Sequence, residues 1–299
     1  MSDRSAIEWT ERTWNPTTGC DRISPGCDHC YALTLAKRLK DMGQAKYQTD
    51  GDPRTSGPGF GVAIHPGALR EPLTWRRPSI CFVDSMADVL HARVPTSFVA
   101  QVWAVMALTP QHTYQVLTKR PERYRKVLEE PCGCGGGHLP GIHFRSRVQD
   151  HTRRLAPGRE VDLMAYWPLE NVWLGTSIES DRYTWRADAL RAAPASTRFL
   201  SLEPLLGPLP SLDLDGIDWV IVGGESGPGA RAMDLAWVRN LIQRCEASGV
   251  AVFVKQLGAV WARANRADPK GGHWEHWPED LRVRQFPHSA VVPARGVAS

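Results

Sequence analysis

No apolar run in the 299 residues approaches the eighteen or so that a membrane-spanning helix needs. The polar opening "MSDRSAIEW" also lacks the charged-then-apolar layout of a signal peptide, so the chain is expected in the cytoplasm, with no membrane partner. Internal repeats are absent, which argues against a solenoid or propeller. No stretch reads as a linker, so residues 1–299 are expected to form a single α/β domain large enough for one substantial core. Neither sign of charge is in large excess, with 36 Lys and Arg against 32 Asp and Glu. A formal net charge of +4 mildly favours an anionic partner and says nothing about fold. The seven cysteines are an odd number, which in a reducing compartment points to metal ligands or buried thiols rather than disulfides.

What is present begins with short β-rich apolar runs: "SICFVDS" (79–85), "TYQVLTK" (113–119), "VWLGTSIE" (172–179), "TRFLSLEP" (197–204), "DWVIVGGE" (218–225) and "AVFVKQLG" (251–258). Helical patterns separate several of them, as in "VPTSFVAQVWAVMAL" and "MDLAWVRNLIQRCEASG". Strand alternating with helix means parallel βαβ units. With a further strand near "IEWTERTWNP", about six to seven parallel strands are expected, in a partial or complete (β/α) barrel. The alternation also fits an open doubly wound sheet. Residues 131–166 break the rhythm without a clean period and read as an insertion between the third and fourth strands. From about Trp261 the chain reads as an irregular wrap, with a disordered end after about Pro287.

Every strand ends in polar residues, where α/β folds place their sites. In order these are Asp84, Ser85 and Asp88; Lys119 and Arg120; Ser177 and Glu179; Ser201 and Glu203; Glu225 and Ser226; Lys255 and Gln256. Solvent alone would account for one or two such ends. Six together predict a shared polar pocket.

The stretch "TWNPTTGCDRISPGCDHCYALTLAKRL" places Cys20, Cys27 and Cys30 in C-x6-C-x2-C spacing just before a helix. A structural zinc site wants four ligands, commonly as two close pairs, and this loop supplies three cysteines. Three thiolates suit an iron-sulfur cubane with one iron left open to a small molecule, and the helix start would aim its amides at the anionic cluster. Zinc and unligated thiols are the other two readings of the loop. A second set, Cys132, Cys134, His138 and His143, lies in "PCGCGGGHLPGIH" and could take a metal such as zinc, or form a mobile loop with exposed thiols. Cys81 and Cys245 sit in apolar contexts and read as core.

Arginines concentrate in "HFRSRVQDHTRRLAPGR", as Arg145, Arg147, Arg153, Arg154 and Arg159. Such a stretch, with an insertion expected on the site face, can track a phosphate backbone, so DNA or RNA is a candidate partner. A solvated face gives the same pattern. The twelve tryptophans add little to a base-stacking argument, because Trp9, Trp75, Trp173 and Trp219 sit in core-like patterns.

The loop "GCDRISPGCDHCYA" resembles the cluster loop of radical S-adenosyl-L-methionine (radical SAM) enzymes, most closely the spore photoproduct lyase-like branch, whose loop also ends in a cysteine followed by Tyr-Ala. Over nearly its full length the chain resembles a phage-borne three-cysteine-motif family of unknown function. The matching pieces include "FVDSMADVLH", "LTKRPER", "WPLENVWLGTSIES", "FLSLEPLLG", "DWVIVGGESGPGARAMDLAWVRNL", "VFVKQLG" and "WPEDLRVRQFP". The first gap here is six residues where the usual loop has three, and "GGES" (223–226) ends a late strand rather than the second.

The resemblance implies a radical SAM-like barrel with a four-iron, four-sulfur (4Fe-4S) cluster on Cys20, Cys27 and Cys30. It implies S-adenosyl-L-methionine at the open iron, an electron donor as partner, and hydrogen abstraction from a nucleic acid or nucleotide, in modification or DNA repair. Ser85 and Asp88 are then the contacts for the ligand's amino group. Gly223 and Gly224 would let the backbone approach its ribose or carboxylate, with Glu225 hydrogen-bonding a hydroxyl and Lys255 as a further contact; a tight strand-to-helix turn gives the same glycine pair. Two other functions stay open. One is a nucleic-acid-binding protein with a structural or redox-sensing cluster; the other is a zinc-binding barrel protein. No partner protein is named by the sequence.

Overall fold

The computed structural model describes residues 5–287. Seven strands form one parallel sheet: β1 (Arg12–Trp14), β4 (Ile80–Val83), β5 (Thr113–Thr118), β6 (Val172–Ser177), β7 (Thr197–Leu202), β8 (Trp219–Gly223) and β9 (Ala251–Gln256). They lie side by side in that same order. A two-stranded antiparallel ribbon, β2 (Thr17–Thr18) with β3 (Ala63–Ile64), sits beside the end of β1. The helices are α1 (Tyr31–Asp41), α2 (Thr96–Leu108), α3 (Glu122–Leu128), α4 (Ile142–Leu155), α5 (Trp185–Arg191), α6 (Leu235–Ala247) and α7 (Ala259–Ala264).

Both faces of the central strands are covered. This is why β4, β6 and β8 are buried at every position and read as continuous apolar runs rather than alternating ones. Strand order equal to chain order, with every pairing parallel, is a (β/α) half-barrel. Its curl follows from one side chain. Strands lie about 4.8 Å apart, so β4 and β8 would be about 19 Å apart in a flat sheet. Yet the Trp9 ring sits 4.8 Å from Phe82 of β4 and 6.2 Å from Trp219 of β8. Only a curled sheet brings both within reach of one indole.

Inside the curl, Trp9, Phe82, Trp173, Phe199, Trp219 and Phe253 pack into an aromatic floor. Phe286 stacks on Trp219 at 5.2 Å between ring centres. Trp9, Trp173 and Trp219 are thus core residues, as their patterns suggest, while Trp75 is half-buried beneath Arg12. The main apolar cluster, outside the curl, runs from Trp14 to Leu281 and includes Cys81 and Cys245, both buried.

Two expectations for the insertion are corrected. It is not aperiodic, because α4 occupies its centre. Phe144, Val148 and Thr152, four residues apart, face inward and are buried. Their stripe is narrow and the arginines around it hide it. The Phe144 ring meets Trp103 of α2 at 6.1 Å and Trp167 at 6.0 Å, so α4 forms an outer layer over α2. That cover explains why α2 is apolar nearly all round, with every residue from Phe98 to Leu108 buried except Gln101. Nor does the insertion leave the carboxyl ends of the strands: it follows α3 and precedes β6.

The C-terminal wrap contains the short helix α7 and then single turns, and Arg284 forms a bridge with Phe253 of β9. The expected end after Pro287 lies outside the described residues. Among the described residues no helix is long and apolar enough to cross a membrane.

Candidate functional site

The cysteine loop leaves the half-barrel through a tight turn. Gly19 has φ +84°, and a Cβ there would lie 2.2 Å from the Gly61 carbonyl oxygen, so only glycine fits immediately before Cys20. Asn15 Oδ1 accepts from the Met86 amide (3.1 Å) and the Ser85 hydroxyl (3.2 Å), tying the end of β1 to the end of β4. Asp84 accepts from the Thr17 amide (3.1 Å) and hydroxyl (2.6 Å). Burial first, with the charge of Asp88, pushes this carboxyl up to about 7 against the Thr17 bonds and Lys46.

Two arginines clamp the loop. Arg120 donates to Cys20 Sγ (3.3 Å), to Asp88 Oδ2 (2.9 Å) and to the Asp21 carbonyl (3.0 Å). Arg231 donates through Nε and Nη2 to the Glu225 carboxylate and also reaches the Pro25 carbonyl at 2.9 Å. His29 Nδ1 lies 3.2 Å from Glu225 Oε2. Burial would raise Glu225, but the Arg231 and His29 bonds outweigh it and hold the carboxyl down near 2. Asp21 is fixed by Thr55 Oγ1 (2.8 Å), His91 Nε2 (3.0 Å) and Arg93 Nη2 (2.8 Å).

Cys20, Cys27 and Cys30 face one cavity of about 230 Å³ at the carboxyl ends of the strands, with Trp9 and Phe82 of the aromatic floor beneath it. The shared pocket expected from the strand ends is present. All of those residues line it except Glu179 and Gln256. Glu179 lies under Gly26 of the cysteine loop and pairs with the buried Arg186 at 3.0 Å; Gln256 donates to the Gly224 carbonyl.

Burial, with the charge of Asp88, pushes the Cys20 thiol up to about 12 against Arg120, and burial raises Cys30 as well. The amides of Ala32 and Leu33, in the first turn of α1, and the charge of Lys119 oppose that rise at Cys30. Cys20 and Cys30 are therefore held as neutral thiols, which a bound cation would convert to thiolates. The charge of Cys27 also raises both Cys20 and Cys30, so the three thiols are neighbours on the cavity wall. Three thiols with a cavity beside them fit a cubane that leaves one iron open, whereas a structural zinc site wants four ligands. Among the described residues, a four-ligand group of that kind is Cys132, Cys134, His138 and His143, with ligand atoms within 4.8 Å of one another.

The other residues singled out from the sequence fall as follows. Ser85 and Asp88 reach the cavity, but Asp88 already accepts from the Leu90 amide, Thr118 and Arg120. Glu225 is likewise engaged, by Arg231 and His29. Lys255 pairs with Glu203 at 2.7 Å. Gly224 lines the cavity while Gly223 does not. A Cβ on Gly224 would lie 2.6 Å from the Leu257 carbonyl oxygen, so its missing side chain is required by the backbone just after β9 irrespective of any ligand.

The arginine stretch is displaced from the site. None of Arg145, Arg147, Arg153, Arg154 and Arg159 lines the cavity. Arg147 pairs with Glu130, Arg145 reaches the Pro140 carbonyl, and Arg153 lies 3.6 Å from Asp150. Their spread over the outer helix and the turn after it rules out the single site-facing patch expected from the sequence. Of the cations that line the cavity, Arg120 and Lys255 are paired with Asp88 and Glu203, whereas Arg22 and Lys119 are not in ion pairs among the described residues; Arg54 and Arg93 join the loop through Arg22 and Asp21. Arg231 and His91 were missed. The available signal was a lone arginine closing the glycine-rich turn six residues after a strand-end glutamate, and a histidine closing "DSMADVLH".

A family described as "Protein of unknown function (DUF5131)" matches residues 4–280, and the chain belongs to that family. No curated protein and no solved structure matches the chain.

Proposed function

We propose that this DUF5131 chain carries a 4Fe-4S cluster on Cys20, Cys27 and Cys30 and performs radical S-adenosylmethionine chemistry on a nucleic acid or nucleotide, with an electron donor as partner. One observation carries the reading: three thiols of a single loop open on one cavity at the strand ends. Such a cluster, with S-adenosylmethionine bound, supplies one-electron cleavage of a carbon-sulfur bond and hydrogen abstraction from a substrate.

The chain's own part is to hold, neutralise and shield. Arg120, Lys119 and the first amides of α1 stabilise negative charge at the sulfurs. The aromatic floor excludes water from below. Ser85 and Asp88 are the proposed contacts for the ligand's amino group. Gly224 and Glu225 stand across the cavity, and Lys255 with Glu203 completes that side. The anionic substrate class is supported by Arg22 and Lys119; for Lys119 no carboxylate lies within ion-pair distance among the described residues.

The test is anaerobic reconstitution, iron and sulfide analysis, then dithionite reduction with S-adenosylmethionine. Expected are about four irons per chain, loss of the cluster in each of Cys20→Ser, Cys27→Ser and Cys30→Ser, and formation of 5′-deoxyadenosine. Iron without 5′-deoxyadenosine would assign the cluster a structural or redox-sensing role. Absence of iron from those three residues would end the reading.

A further inference from the structure

We propose that Cys132, Cys134, His138 and His143 bind one zinc ion that fastens the turn between α3 and α4. This site is separate from the cavity, which no residue of the insertion lines, and it stands whether or not the cavity holds a cluster.

The first ground is convergence. His138 Nδ1 lies 3.3 Å from both Cys132 Sγ and Cys134 Sγ, and His143 Nε2 lies 3.1 Å from Cys132 Sγ. Four ligand atoms from four residues, all within 4.8 Å of one another, are the complement of a tetrahedral ion. Two sulfurs with two imidazole nitrogens and no carboxylate select zinc over the hard cations. All four positions are filled by protein, which is the arrangement of a structural site rather than a catalytic one.

The second ground is what the loop lacks. From Pro131 to Pro140 no residue is buried, so apolar contact cannot order this stretch. Fixing the backbone costs about 1–2 kcal/mol per residue. Gly135 (φ +77°) and Gly137 (φ +62°) take the left-handed conformation that lets so short a loop coil back on its own sulfurs. The C-x-C-x3-H-x4-H spacing then ends inside α4, because His143 is its second residue. A metal bond to His143 therefore anchors the helix at the end where Phe144 packs on Trp103 and Trp167.

Binding is an exchange that balances. One Zn²⁺ takes up two thiolates and two neutral imidazoles, and the protons of Cys132 and Cys134 pass to solvent. The product carries no net charge.

The test uses the full chain purified without chelator. Elemental analysis is expected to find about one zinc per chain, released by a chelating dye. Cobalt(II) in place of zinc is expected to give the intense visible bands of a tetrahedral thiolate complex. Cys134→Ser and His138→Ala are each expected to lower zinc from one per chain to near zero and to speed tryptic cleavage near Arg145. The triple variant Cys20→Ser, Cys27→Ser, Cys30→Ser is expected to keep its zinc. Should a ligand variant fail to fold, the dye titration and cobalt spectrum of the unaltered chain still decide. The proposal is overturned by wild-type protein that holds no zinc and gives no tetrahedral cobalt spectrum, by zinc retained in Cys134→Ser and lost in the triple variant, by iron at these four residues, or by a Cys132–Cys134 disulfide in place of metal.

Discussion

Asp84→Asn is expected to stabilise the protein in a pH-dependent way. Asp84 is buried at the end of β4 and adopts φ +58°, a left-handed conformation that asparagine tolerates as readily as aspartate. Its carboxyl ionises at about 7 in the fold, against about 3.9 for an unfolded chain. Below about pH 4 both states hold the proton, and the stabilising term is fully present. Between about pH 4 and 7 the unfolded chain sheds the proton while the native protein keeps it, so stability is lost as pH rises. Above about 7 the loss is complete. About three pH units at about 1.4 kcal/mol each give about 4 kcal/mol, an upper bound.

The amide of asparagine removes the ionisation while keeping both Thr17 partners, since Oδ1 still accepts from the amide and Nδ2 donates to the hydroxyl. Urea unfolding followed by tryptophan fluorescence, at about pH 5, 7 and 8.5, measures the difference between variant and wild type. The advantage of the variant should grow from about 1.5 kcal/mol at pH 5 to about 4 kcal/mol at pH 8.5. A difference that does not change with pH, or a variant weaker than wild type at pH 8.5, refutes the reasoning.

Two more outcomes follow from charges elsewhere. Arg186→Met should cost about 3–5 kcal/mol in urea unfolding, because Glu179, 3.0 Å away and fully buried, is left without its cation; Glu179→Gln in the same chain should recover much of that stability. If the cavity receives a nucleic acid, Arg22→Ala should flatten the log-log salt dependence of single-stranded oligonucleotide binding by about 0.7 for each phosphate that Arg22 neutralises, as read by fluorescence anisotropy. The double change Arg153→Ala, Arg154→Ala should leave the slope alone. The reverse result would move the phosphate-binding surface to the outer helix.

The strands were legible because burial on both faces turns each into an uninterrupted apolar run, and their polar ends were legible because a parallel sheet delivers all of them to one side. Whether the sheet curled was not, since a half-barrel and an open sheet share the same alternation. The rings around Trp9 decide that, and they come from strands far apart in the chain. Helix α4 was hidden because its inward stripe is one residue wide and three residues long among arginines. At the site, residue types could be read and their partners could not. Glu225 looks available in sequence, yet the turn after it returns Arg231 to its carboxylate. Gly224 looks like a ligand contact, yet a carbonyl from the neighbouring strand's end accounts for it. The Cys/His group of the insertion was visible as a set because its four residues fall within twelve.

The aromatic floor has a consequence for the order of synthesis. Each strand pairs with the one made just before it, so the sheet can extend at its newest edge as the chain leaves the ribosome. The floor cannot be finished that way. Trp219 waits for Phe286 to stack on it and for the Gln285 carbonyl to accept from its indole nitrogen at 2.9 Å. The cysteine loop, near the start of the chain, is thus made more than 250 residues before the floor beneath its cavity is complete. If its three thiols take up the proposed cluster before release, they take it up while that floor is still unfinished.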